Sequence, residues 1–272
     1  MKKFLSVLSA CLIFTALSAT AASRDFIIGD ETNKLACTLQ TPKDINDYPL
    51  VIIYHGLNID KDMLLLTKIA DKLEEENIAS LRCDFNGHGK SYGAFENMTI
   101  PNELEDAKRV YEYAQNNLKQ TSISLVGHSQ GAVIAGMLAG ELGENNINSI
   151  VLLSAAPNIK DNAIKGDFFG IQFDAKNLPQ YLELPDGHKI GMEYFKTAQV
   201  LPIYETSEKY QGEALIVHGT HDELVPYTYG IKYYELYDKS EINLVKKANH
   251  CFVGQEDEIA QITADYFKKK AE

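Results

Sequence analysis

The sequence Gly127-His128-Ser129-Gln130-Gly131 follows the apolar run Ile123 to Val126 and precedes the small-residue segment Ala132 to Leu142. The run is typical of a buried strand, and the segment after it is typical of a helix. A serine at the sharp turn between such elements takes strained backbone angles, and the strand and helix approach so closely that only glycine fits two residues on either side. The pattern therefore predicts a serine nucleophile, Ser129, at the end of a central strand.

Strands and helices alternate on both sides of this turn. We predict, in chain order, a hairpin over Phe26–Ile28 and Leu35–Gln40, strands over Leu50–Tyr54, Ile78–Phe85, Ile123–Val126, Ile150–Leu153, Ala214–Val217 and Glu241–Val245, and helices over Asp62–Glu76, Pro101–Asn117, Ala132–Leu142, the segment after Pro226 and Asp257–Lys270. Alternation of this kind predicts an α/β fold with a mostly parallel, eight-stranded sheet flanked by helices.

The alternation stops between the sixth strand and Ala214. A structureless loop of that length is uncommon in a compact domain, so we expect an inserted cap or lid over about residues 157–205. The aromatic residues in this stretch are Phe168, Phe169, Phe173, Tyr181, Tyr194, Phe195 and Tyr204.

A serine hydroxyl needs a neighbouring imidazole as base, and that imidazole needs a carboxylate to orient it. Asp222 and His250 follow the strands that end at Val217 and Val245, where parallel strands present their carboxyl ends. The order Ser129, Asp222, His250 is the order of the α/β-hydrolase fold. Glu223 is an alternative acid, but Asp222 fits better a strand-end turn that leads into a helix at Pro226.

An oxyanion hole needs two backbone N–H groups aimed at the developing negative oxygen. One candidate is the amide of Gln130, directly after the nucleophile. The other is the amide of Leu57, in the turn His55-Gly56-Leu57 that follows the strand Leu50–Tyr54.

The first residues have the composition of a secretory signal. Lys2 and Lys3 precede an apolar stretch from Phe4 to about Leu17, and Ala19-Thr20-Ala21 is typical of a cleavage site. We expect a signal peptide over residues 1–21, export to the periplasm or the medium, and one domain over residues 22–272. An uncleaved membrane anchor and a lipid tether at Cys11 are the alternatives.

The formal net charge is −12, and removal of the two lysines makes the chain more acidic still. Such a chain is repelled by nucleic acid and by anionic membranes, so neither is expected as a partner. The expected partner is a small-molecule substrate that is not strongly anionic. Composition does not indicate the oligomeric state.

The cysteines that follow the signal, Cys37, Cys83 and Cys251, are too few for a disulfide framework. At most one pair forms, and buried free thiols are the default expectation. No metal-ligand spacing and no phosphate-binding or dinucleotide-binding glycine motif occurs in the sequence, so no metal and no cofactor are expected. Ordinary structural roles account for His55, His88, His128, His188 and His218.

Four segments give the sequence a narrower resemblance. They are Arg82 to Ser91, Phe95-Glu96-Asn97-Met98-Thr99, Leu201-Pro202-Ile203-Tyr204-Glu205 and Asn249 to Phe252. Together with the Gly127–Gly131 turn, they resemble the bacterial cinnamoyl (feruloyl) esterases of the α/β-hydrolase superfamily, over nearly the whole chain after the signal.

The resemblance implies hydrolysis of a carboxylic ester through an acyl-enzyme on Ser129, with an aromatic-rich cap over a phenolic pocket. It also implies substrate contacts by Tyr194, Asn162 and Phe169 in the cap. Two positions depart from the family: Leu57 stands where an aromatic residue is usual, and Asn162, or Asp161 displaced by one position, stands where a cap aspartate contacts the phenol. These changes bear on the preference for the acyl group.

Other functions fit the same residues. A general short-chain carboxylesterase or a monoacylglycerol lipase has the same triad with a more apolar cap. A non-catalytic ligand-binding protein on this fold usually lacks a triad member, whereas this chain keeps all three. A peptidase or acyltransferase of the same fold also remains open.

Overall fold

The computed structural model describes residues 22–43 and 48–271. The predicted signal peptide, residues 1–21, lies outside the described residues. The strands are β1 (Ala22–Ile28), β2 (Leu35–Thr41), β3 (Leu50–Tyr54), β4 (Ala79–Cys83), β5 (Ile123–His128), β6 (Ser149–Leu153), β7 (Asp167–Phe168), β8 (Ile171–Gln172), β9 (Tyr181–Glu183), β10 (Lys189–Gly191), β11 (Glu213–Gly219) and β12 (Ser240–Val245). The helices are α1 (Leu64–Glu75), α2 (Ile100–Asn116), α3 (Gln130–Leu142), α4 (Asn158–Lys165), α5 (Met192–Val200), α6 (Ile203–Ser207), α7 (Thr228–Leu236) and α8 (Glu256–Ala271).

Eight of these strands form one sheet in the order β1-β2-β4-β3-β5-β6-β11-β12. β1 pairs antiparallel with β2, and β2 pairs antiparallel with β4, while the other neighbours are parallel. The predicted α/β fold with a mostly parallel, eight-stranded sheet is therefore confirmed.

Alternate residues of the central strands bury opposite faces of the sheet. Ile52 of β3 packs in the cluster that contains α2 and α3, whereas its neighbours Val51 and Ile53 pack in the cluster that contains α1 and α8. Because side chains alternate across a strand, a run that is apolar at every position must be covered on both faces. Helices therefore cover both faces of the sheet, and the carboxyl ends of the parallel strands β5, β11 and β12 lie at the same edge of it.

The structure joins Cys37 and Cys83 in a disulfide. The expectation of free thiols was wrong for this pair; Cys251 is free. Cys37 on β2 and Cys83 on β4 are directly opposite each other in the antiparallel register, with their Cα atoms 4.0 Å apart. The pairing follows from the sheet order, since β2 lies beside β4 and not beside β3.

We refer to residues 157–205 as the cap segment. It contains α4, the small hairpins β7–β8 and β9–β10, α5 and the start of α6. Its interior is aromatic, because Phe168, Tyr194 and Phe195 are fully buried and meet edge to face. Over the residues that the structure describes, no helix has the length and apolar character needed to cross a membrane.

Candidate active site

The turn between β5 and α3 holds Ser129 in a strained conformation, with φ 57° and ψ −120°. A Cβ atom at Gly127 would overlap the carbonyl of Gly131, and one at Gly131 would overlap the carbonyl of His55. Both glycines are therefore required by close backbone contacts. The Ser129 amide donates to the Leu153 carbonyl of β6 at 2.9 Å, which ties the turn to the sheet.

The three side chains proposed from sequence lie in one chain of hydrogen bonds. His250 Nε2 lies 2.8 Å from Ser129 Oγ, and His250 Nδ1 lies 2.7 Å from Asp222 Oδ2. Glu223, the alternative acid, is exposed and does not take part in this chain. In this arrangement the imidazole can accept the serine proton while the carboxylate stabilises its cationic form.

Asp222 is held as a carboxylate. Burial alone would raise its pKa, but hydrogen bonds from His218 and His250 hold that pKa well below its usual range. Its Oδ1 accepts from the amides of Leu224 at 3.0 Å and Val225 at 2.8 Å, while Oδ2 also lies 3.1 Å from His218 Nε2. The carboxylate that orients His250 is thus fixed by three further donors: the amides of Leu224 and Val225 and His218 Nε2.

Two further histidines contact Asp222 or His250, although the sequence indicated only ordinary structural roles for them. His218 is fully buried and contacts Asp222. His128 Nε2 lies 3.0 Å from the His250 carbonyl, and burial lowers the pKa of His128 to about 3, so its ring is neutral and donates to that carbonyl. His128 therefore positions the backbone that carries His250. No spacing rule in the sequence reveals these contacts.

The Leu57 turn lies against Ser129. A Cβ atom placed on Gly56 would lie 3.4 Å from Ser129 Oγ. His55 Nδ1 lies 2.9 Å from the Gly56 carbonyl, and its Nε2 accepts from the Phe85 amide. Burial lowers the pKa of His55 to about 4, so the ring stays neutral.

The two predicted oxyanion donors are the backbone amides of Leu57 and Gln130. The hydrogen bonds found across residues 22–43 and 48–271 leave the amides of Leu57 and Gln130 without an acceptor. Free, fixed amides beside a serine oxygen are what an oxyanion hole requires.

The Gln130 side chain lies behind this site. Its Nε2 donates to Glu103 Oε2 at 2.6 Å, and its Oε1 accepts from the Tyr194 hydroxyl at 2.7 Å. All three residues are buried, and burial raises the pKa of Glu103 to about 8. The predicted substrate residue Tyr194 thus has no exposed surface, and its hydroxyl is hydrogen-bonded to the residue after Ser129.

The predicted substrate residues Asn162 and Phe169 line one surface pocket of about 320 Å³ between the cap segment and the loop that follows Asp222. Glu223 and Leu224 of that loop form its other wall. Asp161, the second candidate for a phenol contact, instead accepts from the Tyr229 hydroxyl at 2.6 Å. Two of the three predicted contacts therefore lie together, and Tyr194 lies apart from them.

Across the part of the chain that the structure describes, no cluster of three or more histidine, cysteine, aspartate or glutamate side chains is arranged to hold a metal ion.

Comparison with known families finds one whose model matches this chain. The model of the serine aminopeptidase S33 family, one of the hydrolase families, matches residues 47–183, which is half of the chain and includes the Ser129 turn. The chain belongs to this family. Asp222 and His250 lie beyond the matched range, so the family match itself covers the Ser129 turn and the Leu57 turn.

Solved structures extend the similarity to about nine tenths of this S33-family chain. Est1E from Butyrivibrio proteoclasticus with ferulic acid bound superimposes with a TM-score of 0.87 at 30% identity, covering 90% of this chain and 99% of that one. A second structure of Est1E gives a TM-score of 0.83 at 27% identity, with 91% and 98% covered. A hydrolase from Agrobacterium vitis S4 shares the fold, with a TM-score of 0.71 at 22% identity and coverage of 93% and 100%. These matches confirm the α/β-hydrolase fold.

Curated relatives are longer than the matched region. Human ABHD12B is 28% identical over 191 residues, which are 69% of this S33-family chain and 49% of that protein. Protein R595 of Acanthamoeba polyphaga mimivirus is 24% identical over 192 residues, 68% of this chain and 62% of that protein. The similarity thus spans about half of the first relative and under two thirds of the second.

Proposed function

We propose that the protein is a serine carboxylic-ester hydrolase that cleaves hydroxycinnamoyl esters of the feruloyl type. The observation that carries the chemistry is the hydrogen-bond chain from Ser129 Oγ through His250 to Asp222, at 2.8 and 2.7 Å. The two free amides beside Ser129 complete the set of groups that acyl transfer needs.

In the first half of the reaction, Ser129 Oγ attacks the ester carbonyl carbon while its proton passes to His250 Nε2. The carbonyl electron pair moves onto oxygen, which accepts hydrogen bonds from the amides of Leu57 and Gln130. The carbonyl then re-forms, the bond to the alcohol oxygen breaks, and that oxygen takes the proton from His250. Water repeats the sequence on the acyl-enzyme and releases the acid.

The acyl preference rests on the similarity to Est1E, whose structure holds ferulic acid, and on the pocket next to the acid loop. Phe169 offers an exposed aromatic face there, and Asn162 offers an amide that can hydrogen-bond a phenol. A flat aromatic acyl group with one hydroxyl suits a wall of this composition.

A peptidase is the second candidate, because the family takes its name from serine aminopeptidases. The same pocket is lined by the carboxylates of Asp167 and Glu223 and by the ammonium group of Lys165, and the two carboxylates are the groups that would bind an α-ammonium. The two candidate functions differ in the group that enters this pocket, which is a neutral phenol for the esterase and a cationic amino terminus for the peptidase.

A substrate panel separates these proposals. We would measure kcat/KM on methyl ferulate, p-nitrophenyl butyrate, a monoacylglycerol and an aminoacyl p-nitroanilide, with the Ser129→Ala variant as control. The proposal expects methyl ferulate to be turned over best and the variant to be inactive. A preference for the short or long aliphatic ester would keep the triad and refute the feruloyl preference, and a preference for the anilide would support the peptidase.

We also propose that the protein is exported. The charge and apolar pattern of residues 1–21 support this, and so does the Cys37–Cys83 disulfide, since disulfides persist in oxidising compartments. Amino-terminal sequencing of protein from an expressing cell tests it. A mature chain that begins at Ala22 is expected, whereas an intact amino terminus in the cytosolic fraction would refute export.

A further inference from the structure

One continuous part of the cap segment, from β9 to the first turn of α5, contacts the catalytic region at two separate points. The turn between β9 and β10 brings Asp186 Oδ2 to 2.5 Å from Asn58 Nδ2. Eight residues later, the Tyr194 hydroxyl donates to Gln130 Oε1 at 2.7 Å. β10 itself lies against the backbone of Glu96, where a Cβ atom on Gly191 would overlap the Glu96 carbonyl.

The first contact reaches the Leu57 turn. Asn58, the residue after Leu57, has φ 58°, a conformation that is uncommon for residues other than glycine. Its amide donates to His88 Nε2 at 3.3 Å, and its side chain donates to Asp186. Asn58, which follows Leu57, is therefore held by His88 through its backbone and by the cap segment through its side chain.

The second contact reaches the other amide. Gln130 is the first residue of α3, and its side chain is fixed at both ends by Glu103 on α2 and Tyr194 on α5. Glu103 and Tyr194 are both buried, so neither bond competes with water. A glutamine held at both ends has one conformation, and its own backbone amide is held with it.

We propose that Asp186 and Tyr194 are positioning residues for the oxyanion hole, so that the hole reaches its working geometry only when the cap segment is seated. One contact acts on the residue after Leu57 and the other on Gln130, which are the two sides of the hole. An electrostatic site of this kind works through donors that are fixed before the reaction, so a small displacement of either amide weakens it. The role assigned to Tyr194 thus differs from a substrate contact.

This inference rests on the proposed function, because it assigns the two amides to an oxyanion. Its test uses Tyr194→Phe, which removes only the hydroxyl, and Asp186→Ala, which lies on the surface. Asp186→Asn keeps an oxygen that can accept from Asn58 and serves as the conservative variant. Tyr181→Phe makes the matched change at an exposed tyrosine of the same hairpin.

For each variant we would measure kcat and KM on the best ester of the panel, and the rate at which a fluorophosphonate labels Ser129. In labelling, Ser129 Oγ passes its proton to His250 Nε2 and bonds to phosphorus while fluoride leaves, and negative charge develops on the phosphonyl oxygen in the transition state, in the same hole. The reaction needs no knowledge of the natural ester. Since loss of a whole donor costs about a hundredfold to a thousandfold in kcat, displacement of one should cost about tenfold.

The expected result is a fall of about tenfold in kcat and in labelling rate for Tyr194→Phe and Asp186→Ala, with KM changed by less than about twofold. Asp186→Asn and Tyr181→Phe should remain near the wild type. A rise in KM with kcat unchanged would make Tyr194 a substrate contact and overturn the inference. Unchanged kcat and labelling in both variants would overturn it as well.

Failure of the proposed function has a different signature. A wild-type protein that labels at Ser129 but hydrolyses no ester refutes the esterase, while the labelling rates of the variants still decide on the oxyanion hole. A wild-type protein that neither labels nor turns over refutes both.

Discussion

Replacing Asp222 by asparagine is the sharpest test of the proposed triad of Ser129, His250 and Asp222. Asp222 Oδ1 accepts from two backbone amides, those of Leu224 and Val225, and a backbone amide can only donate. The introduced amide will therefore place its oxygen there and its NH₂ where Oδ2 lay, 2.7 Å from His250 Nδ1. An NH₂ group donates, so His250 Nδ1 must become the acceptor and its proton must move to Nε2.

A protonated Nε2 faces Ser129 Oγ and cannot accept the serine proton. In the well-studied serine proteases the equivalent change costs about 10⁴ in kcat, which corresponds to about 5.5 kcal/mol of activation free energy. We expect a loss of about 10³ to 10⁴ here, because the hydrogen-bond pattern around the carboxylate dictates the same tautomer. The side chain keeps its size, so the fold should be retained.

The assay is kcat on the best ester at neutral pH, with circular dichroism to check the fold and Glu223→Gln as the neighbouring control. Glu223 is exposed and outside the hydrogen-bond chain, so its variant should not show the loss. A loss of less than about tenfold in the kcat of folded Asp222→Asn would refute the role of Asp222 in orienting His250. A larger loss in Glu223→Gln would assign the acid to Glu223.

Three further variants test the fold around the site. Gly131→Ala places a Cβ atom into the carbonyl of His55, so it should lower the unfolding free energy by about 1–3 kcal/mol and reduce kcat; a variant with wild-type melting temperature and activity would contradict the close packing of the turn. Burial raises the pKa of Glu103 to about 8, so between about pH 4.5 and 8 the unfolded chain releases a proton that the folded protein keeps, and stability falls as the pH rises. Glu103→Gln should remove that fall, which amounts to a few kcal/mol at most, and denaturant unfolding at pH 5 and pH 8 measures it; an equal pH dependence in both proteins would refute the assignment. The double variant Cys37→Ser/Cys83→Ser opens a bridge across a sequence separation of 46 residues and should lose about 4 kcal/mol of stability with little change in kcat, whereas equal stability of the two proteins would show that the bridge does not form in solution.

The main sheet could be predicted because its signals are local. β3 begins and ends at the predicted residues, Leu50 and Tyr54, since a strand buried on both faces must be apolar at every position. The turn at Ser129 could be predicted because two glycines are required by contacts that the strand-to-helix geometry imposes in any sequence. The order of Ser129, Asp222 and His250 then follows from where parallel strands end.

What could not be predicted depends on neighbours that are distant in the chain. The Cys37–Cys83 pair follows from the order of β2 and β4 in the sheet, and no pattern in the sequence specifies that order. The cap segment has short elements without a clear period, so its fold and the burial of Tyr194 against Gln130 were not foreseen. The contact of His218 with Asp222 depends on the turn after β11, which is irregular backbone.

The most direct test of the central claim is to identify the residue that reacts. The wild-type protein would be treated with a fluorophosphonate, digested and mapped by mass spectrometry, next to Ser129→Ala and His250→Ala. A serine nucleophile activated by His250 predicts a single adduct on the peptide that contains Ser129, absent from the first variant and formed far more slowly in the second. An adduct on another residue, or labelling at an undiminished rate in His250→Ala, would contradict it.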